Sequence, residues 1–260
     1  MNSREQFLKT VNHQQPSRIV LDLGATAVTG IHVQTLSQLR RHYGLQRKPI
    51  RVIEPFQMLG EVDWELIDSI GIDVIGAWGK NNMFGFNNHA PYKEWKTPWG
   101  QRVMVPRHFN TTTDEKGDIL MYPEGDTSIP PSARMPKTGY FFDAIIRQEP
   151  IIEEELNVEN NLEEFGLISD SDLEHWRIEV DKAYYSGKAV IAAFGGTALG
   201  DIALVQGMNL KAPKGVRDVA EWYMSTVMRP DYIKSIYDRQ FEIAIENLTR
   251  IFAVVENKVN

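Results

Sequence analysis

The sequence predicts a parallel α/β fold interrupted by an antiparallel β insertion. Two observations carry this. Amphipathic helices alternate with compact apolar strands on both sides of the interruption, and residues 86 to 143 replace that rhythm with closely spaced turn signals. The 260 residues, 42% hydrophobic and 24% charged, suit one domain over 1–260 with a sizeable core.

Ser3 and Gln6 stand at capping-box spacing, and Phe7, Leu8 and Val11 give the following turns an apolar face, so a short helix opens the chain and Pro16 ends it. Arg18 to Leu23 is a β-rich run that stops at Gly24 and reads as a buried strand. Val33, Leu36, Leu39 and Tyr43 recur at helical spacing, predicting a helix from Ile31 to Tyr43 with Gly44 just past its end. A further helix over Val62 to Ser69 closes at Gly71, and Ile72 to Trp78 reads as the next buried strand.

In the insertion, Thr97-Pro98-Trp99-Gly100 and Asp114-Glu115-Lys116-Gly117 lie beside short β-rich runs such as Arg102 to Val105 and Asp118 to Tyr122, the pattern of an antiparallel meander. Glu149 to Asp172 carries nine acids and no base, a solvated connector ahead of a helix that Asp170 or Ser171 can cap and that runs to Tyr185. Ala189 to Phe194 is a third buried strand, ending in Gly195-Gly196. Leu199 to Met208 is expected to be helical, and Pro230 starts a long helix to the end of the chain. A crossover helix in a parallel sheet normally leads to the next strand, so this ending predicts either an architecture that is partial at its carboxyl end or a last helix that docks elsewhere.

Charge and composition exclude several classes. The net charge is −7, with a pI near 5.5, the wrong sign for neutralising phosphates, so nucleic acid is not an expected partner. There is no cysteine, which removes disulfides, thiolate nucleophiles and Cys-ligated metals. His13, His32, His42, His89, His108 and His175 are dispersed, without HExxH or HxH, so no metal is expected to be held by this chain alone. The sequence contains neither a phosphate-binding GxxxxGK[ST] nor GxGxxG, and no GxSxG elbow. No signal-type or membrane-spanning apolar run occurs, which gives a soluble, cytoplasmic protein as the expectation.

Function in parallel α/β proteins collects at the carboxyl ends of strands. Three such ends stand out. Asp22 to Gly30 places an acid, Gly24 and Gly30, and the hydroxyls of Thr26 and Thr29 in one loop, which reads either as a ligand loop or as a turn with Thr29 as N-cap. His32, on the following helix, is expected to face back toward it. Trp78, at the second end, offers an aromatic wall, and Phe194 with Gly195 forms the third. Asp22 and His32 are the candidate proton-transfer or hydrogen-bonding groups, with Gly24, Thr26, Thr29, Gly30, Trp78, Phe194 and Gly195 around a small-molecule substrate. Gln206-Gly207-Met208-Asn209 is either a helix end or a pocket wall.

The opening SREQFLKTVNHQQPSRIVLDLGATAVTGIH resembles the start of uroporphyrinogen decarboxylase-like proteins. Similar agreement occurs at Glu54-Pro55-Phe56-Gln57-Met58-Leu59-Gly60-Glu61, at Gly71-Ile72-Asp73-Val74, and at Phe194-Gly195-Gly196 with Gln206-Gly207-Met208. The resemblance covers roughly residues 1–80 and 188–255. It implies a (β/α)8 TIM-type barrel, incomplete at the carboxyl end, with the β meander of about 86–143 inserted and the pocket at the strand ends.

The resemblance implies two chemistries. Uroporphyrinogen decarboxylases remove porphyrinogen carboxylates without a cofactor, using an arginine-rich loop, but Asp22 to Gly30 contains no arginine for several carboxylates. Their relatives move methyl groups between a corrinoid protein and a thiol activated by zinc. The expectation is therefore part of a corrinoid-dependent methyltransferase. Zinc and a corrinoid protein are implied only if the chain continues, because the relatives' ligands include cysteines that this chain lacks, and the isolated chain is then inactive. The alternatives are a cofactor-free decarboxylase of a smaller carboxylate and a non-catalytic binding or assembly module, the last expected to form homo-oligomers.

Overall fold

The computed structural model describes residues 1–89, 91–194 and 202–259. The first helix, α1 (Ser3–Val11), starts one position earlier than the pattern suggests. The Asn2 side chain accepts from the Glu5 N–H while the Glu5 carboxylate accepts from the Asn2 N–H, so Asn2 and Glu5 make the capping box. Gln6 is instead buried and accepts from the Ser17 N–H at 2.9 Å, which folds the segment after Pro16 back onto the helix.

Helix α2 (Val33–His42) buries Val33 and Leu36 against the strands that follow, β1 (Ile50–Glu54) and β2 (Leu59–Gly60). The alternating burial of β1 is the period-two signature of a strand with one covered face. Helix α3 (Trp64–Ile70) begins under the Asp63 side chain, which accepts from the Leu66 N–H, and stops at Gly71 with φ 81°, a left-handed position that glycine occupies without steric cost. It delivers the chain to β3 (Val74–Ala77).

The insertion folds as two separate antiparallel units. Strands β4 (Tyr92–Lys96) and β5 (Arg102–Pro106) form a hairpin whose inner strand runs parallel to β1, giving a sheet of order β2-β1-β5-β4. Strands β6 (Thr111–Thr113), β7 (Ile119–Met121), β8 (Ala133–Met135) and β9 (Asp143–Ala144) form a meander in sequence order. Phe84, Phe86, Phe109, Met121, Met135 and Phe142 are all buried in one core shared by the two sheets. Such rings and thioethers dominate the apolar area removed from water, about 25 cal/mol per Å².

The acidic stretch forms short 3-10 turns before α4 (Asp170–Tyr185), and Ser169, rather than Asp170 or Ser171, caps that helix. Strand β10 (Ala189–Ala192) then pairs in parallel with β3, Ala189 opposite Val74. Val74 also forms a parallel bridge to Asp22. The predicted strand over Arg18 to Leu23 is reduced to that bridge. Ile75, Ala77 and Val190 pack on Trp176 and Val180 of α4. Val74 and Ala189 face the opposite way, onto Ala25, Val20 and Phe7. Helix α5 (Val219–Met228) precedes the long α6 (Pro230–Val255), which starts with Pro230 as expected. The helix predicted over Leu199 to Met208 lies partly outside the described residues, and Ile202–Leu204 is a single 3-10 turn.

The expected (β/α)8 barrel is not formed: among the described residues there are three small sheets and none closes on itself. A barrel needs each parallel strand hydrogen-bonded on both edges around a ring. Among the described residues the parallel pairings are β3 with β10, extended by the Asp22 bridge, and β1 with β5, and they lie in separate sheets, while the remaining strands pair as local antiparallel units. No helix among the described residues is long and apolar enough to cross a membrane.

Candidate functional site

The loop from Asp22 to Gly30 is closed by its own side chains. Asp22 Oδ1 accepts from the Ala25 N–H at 3.2 Å and from the Thr29 hydroxyl at 3.0 Å, and the Thr29 Oγ1 in turn accepts from the Thr26 N–H at 3.4 Å. The Gly24 N–H donates to the Thr29 carbonyl at 2.8 Å. These bonds hold the Asp22 carboxylate within the loop. Gly24 has φ +86°, and a Cβ there would meet Val62 at 2.5 Å, so glycine is required twice over.

His32 stands elsewhere. Its Nδ1 accepts from the Gln34 N–H at 3.2 Å, capping α2, and its Nε2–H donates to the Tyr140 carbonyl at 3.0 Å. The ring lies against Trp99 and Tyr140, with centroids 5.3 and 6.2 Å away, and those two rings also touch each other. Both ring nitrogens are engaged, which selects the Nε2–H tautomer. Gly30 sits against Leu59. Phe194 packs edge-on against Trp176 and Phe252, behind β10, and Gly195 lies outside the described residues. Gly207 is a left-handed turn residue, φ 55°, whose carbonyl accepts from Arg147.

Two of the residues singled out in the sequence, Gly24 and Trp78, meet around one cavity of about 160 Å³. Its apolar wall includes Val62, Trp64, Val74 and Ile75. Its ionisable rim is formed by Arg51 of β1, Glu61, His89, Tyr92 of β4, and Glu179 and Lys182 of α4. Arg51, His89, Tyr92 and Lys182 come from four segments that sequence reasoning did not connect.

An asparagine-built turn presents His89. Asn81 and Asn87 form an isolated antiparallel bridge, Asn82 donates to the Asn88 side chain at 2.9 Å, and Asn88 donates to the Ile53 carbonyl at 2.7 Å. The His89 ring then faces His175 of α4, centroids 4.9 Å apart, and His175 Nε2–H donates to the Trp78 carbonyl at 2.9 Å. Burial lowers the His89 pKa, and the positive charge of His175, Arg51 and Lys182 lowers it further against the opposing pull of Glu179. His89 Nε2 is buried without a hydrogen-bond partner.

Arg51 is held on two sides. Its Nη2–H donates to Glu61 at 2.9 Å and its guanidinium lies 4.6 Å over the Tyr92 ring, while Nε is buried and unpartnered. Tyr92 donates its hydroxyl to the Asn88 carbonyl, and burial first, then Glu61 and Glu179, raise its pKa against Arg51. Lys182 makes no ion pair among the described residues. The cavity therefore joins an apolar wall to a held guanidinium and an exposed ammonium, a neutral imidazole and a neutral phenol, beside two carboxylates. Such a site can hold a small organic anion and exchange a proton with it.

Zinc of the kind that the resemblance implies does not fit this donor set. The chain has no cysteine, and among the described residues no three metal-binding side chains converge. Compared with protein-family models, curated proteins and solved structures, the chain matches none.

Proposed function

We propose that this chain acts on a small organic acid held in the cavity between β3, β1 and α4, as a uroporphyrinogen decarboxylase-like protein. The observation that carries the reading is the meeting of the Asp22 loop, at Gly24, and the end of β3, at Trp78, with the ionisable group of Arg51, His89 and Tyr92. Cofactor-free decarboxylation needs an anchor for the substrate, a poorly solvated place for the leaving carboxylate and a proton source. Arg51 and Lys182 offer the anchor, and Trp64, Val74 and Ile75 offer the apolar wall. When the C–C bond breaks and CO2 departs, the electron pair left on carbon takes a proton, and His89 and Tyr92 are the groups in reach of the cavity.

Methyl transfer to a thiol, with a corrinoid protein as partner, is the second reading. It is favoured by the loop at Asp22 to Gly30, whose lack of arginine separates it from porphyrinogen decarboxylases. That reading needs thiol-activating groups beyond the donors described here. The two chemistries separate in one assay series: release of labelled CO2 from short oxo acids and dicarboxylates, against demethylation of methylcobalamin in the presence of a thiol. CO2 release that disappears in Arg51→Gln supports the first reading. Cobalamin demethylation without CO2 release overturns it in favour of the second.

A further inference from the structure

We infer that the cavity selects a carboxylate of about six to eight non-hydrogen atoms, anchored through Arg51 and Lys182, with His89 as its neutral proton-transfer partner. The inference rests on the small-acid reading and narrows it to a size, a charge and a docking direction. Size follows from the volume: about 160 Å³ is close to that of an engineered apolar cavity which binds benzene, about 150 Å³.

Charge follows from the pairing around the rim. Glu61 takes one N–H of Arg51 at 2.9 Å, leaving its buried Nε unpartnered. Lys182, three residues after Glu179 on α4, reaches the same cavity with no ion pair of its own among the described residues. A buried N–H without an acceptor is destabilising. An anion oxygen that reaches Arg51 Nε after a small side-chain rotation removes that penalty and meets the second cation.

Direction follows from the walls. With the carboxylate at Arg51, the rest of the ligand lies along Trp64, Val74 and Ile75. His89 faces His175, Arg51 and Lys182 on one side and Glu179 on the other, and this setting disfavours its protonated form. A neutral imidazole with an unpartnered Nε2 accepts or donates one proton according to tautomer.

The test is a ligand-observed NMR titration of the whole chain with butyrate, 1-butanol and butylamine at pH 7.5. The expected result is saturable binding of butyrate at least tenfold tighter than of either counterpart, weakened at least tenfold in Arg51→Gln and several-fold in Lys182→Gln. Lys182 is exposed, so the second variant leaves the fold intact and keeps the test decisive. Equal binding of the alcohol, or butyrate binding unchanged in both variants, overturns the anchor while leaving the small-molecule reading standing. No binding of any of the three, with no CO2 release from the acids above, overturns both.

Discussion

Arg18 closes on Asp73 with both of its terminal nitrogens, at 2.6 and 2.5 Å, across 55 positions of sequence. Asp73 is fully buried, Arg18 is half exposed, and the same carboxylate accepts from the Leu21 N–H at 3.1 Å. One buried acid therefore fixes the segment that leads into the Asp22 loop beside β3, and through it the wall of the cavity. The fork geometry of a guanidinium against a carboxylate is what makes the contact directional.

Asp73→Ala is expected to destabilise the fold by about 3 kcal/mol, the low end of the range for breaking a buried pair, because the remaining Arg18 keeps access to water. Desolvation raises the Asp73 pKa, but the Arg18, Ser3 and Leu21 hydrogen bonds outweigh it and the net shift is downward. A depressed carboxyl contributes stability that is present above its unfolded value, about 3.9, and lost as pH falls through the folded one. Urea denaturation of wild type and variant at pH 7 and pH 3 checks this. The gap between the two should be smaller at the lower pH, and a gap that widens there contradicts the assignment.

Gly76 lies where a Cβ would stand 1.7 Å from the Ala25 carbonyl oxygen. The Asp22 loop and β3 touch backbone to backbone at this point, so no side-chain rotation can make room. Gly76→Ala is expected to cost about 3 kcal/mol as overpacking and to lower Tm by about 6 °C for a chain of this size. Calorimetry reads both, and butyrate binding is expected to weaken with them, since the loop carries Gly24 at the cavity wall. An unchanged Tm would show that the loop is not seated on β3.

Arg217 is 1% exposed, and its guanidinium donates to Glu164 at 2.7 Å and to the carbonyls of Lys214 and Asn160, each at 2.6 Å. It ties the acidic stretch to the start of α5. Arg217→Ala leaves the largely buried Glu164 uncompensated and is expected to destabilise by about 3–5 kcal/mol. Arg217→Met, which refills the volume, should recover little of this while Glu164 remains, and the double change with Glu164→Leu should recover most. A double-mutant cycle in urea measures the coupling, and additivity of the two changes would refute the pairing.

Legibility in the sequence followed the range of the interactions. Helices such as α3 and α6 were readable because Gly71, Pro230 and the apolar spacing act within a few residues. β3 and β10 were readable as apolar runs. The strand expected at Arg18 to Leu23 shortened to a bridge because Arg18 and Leu21 are spent on Asp73, a contact no local pattern reveals. Strand β1, five residues long with charged Arg51 and Glu54 among them, carried too weak a signal. In the site, Gly24 and Trp78 were found from strand ends, whereas Arg51, His89 and Lys182 converge from β1, an asparagine turn and α4 only through tertiary packing. Asp22 and His32 stand out by chemical type, but the fold engages Asp22 in hydrogen bonds within its own loop and His32 in one to Gln34 and one to the distant Tyr140.

The pH response of His89 follows from its burial and from the positive charges of His175, Arg51 and Lys182, opposed by Glu179. The unfolded chain binds the imidazole proton near pH 6.5, while the folded chain binds it only at lower pH. Stability from this group is therefore complete above about pH 6.5 and declines as pH falls toward the folded pKa, by at most about 1.4 kcal/mol per pH unit. His89→Gln removes the titration and should flatten that part of the curve relative to wild type. Denaturation midpoints at pH 7.5, 6.5 and 5.5 for both proteins supply the difference, in which the shared carboxylate titrations cancel. Parallel curves would mean that His89 is as readily protonated in the fold as outside it. Saturating butyrate adds a negative charge beside the ring, so it should raise the His89 pKa toward its unfolded value and make the wild-type decline smaller, ending at a higher pH, with no such change in His89→Gln.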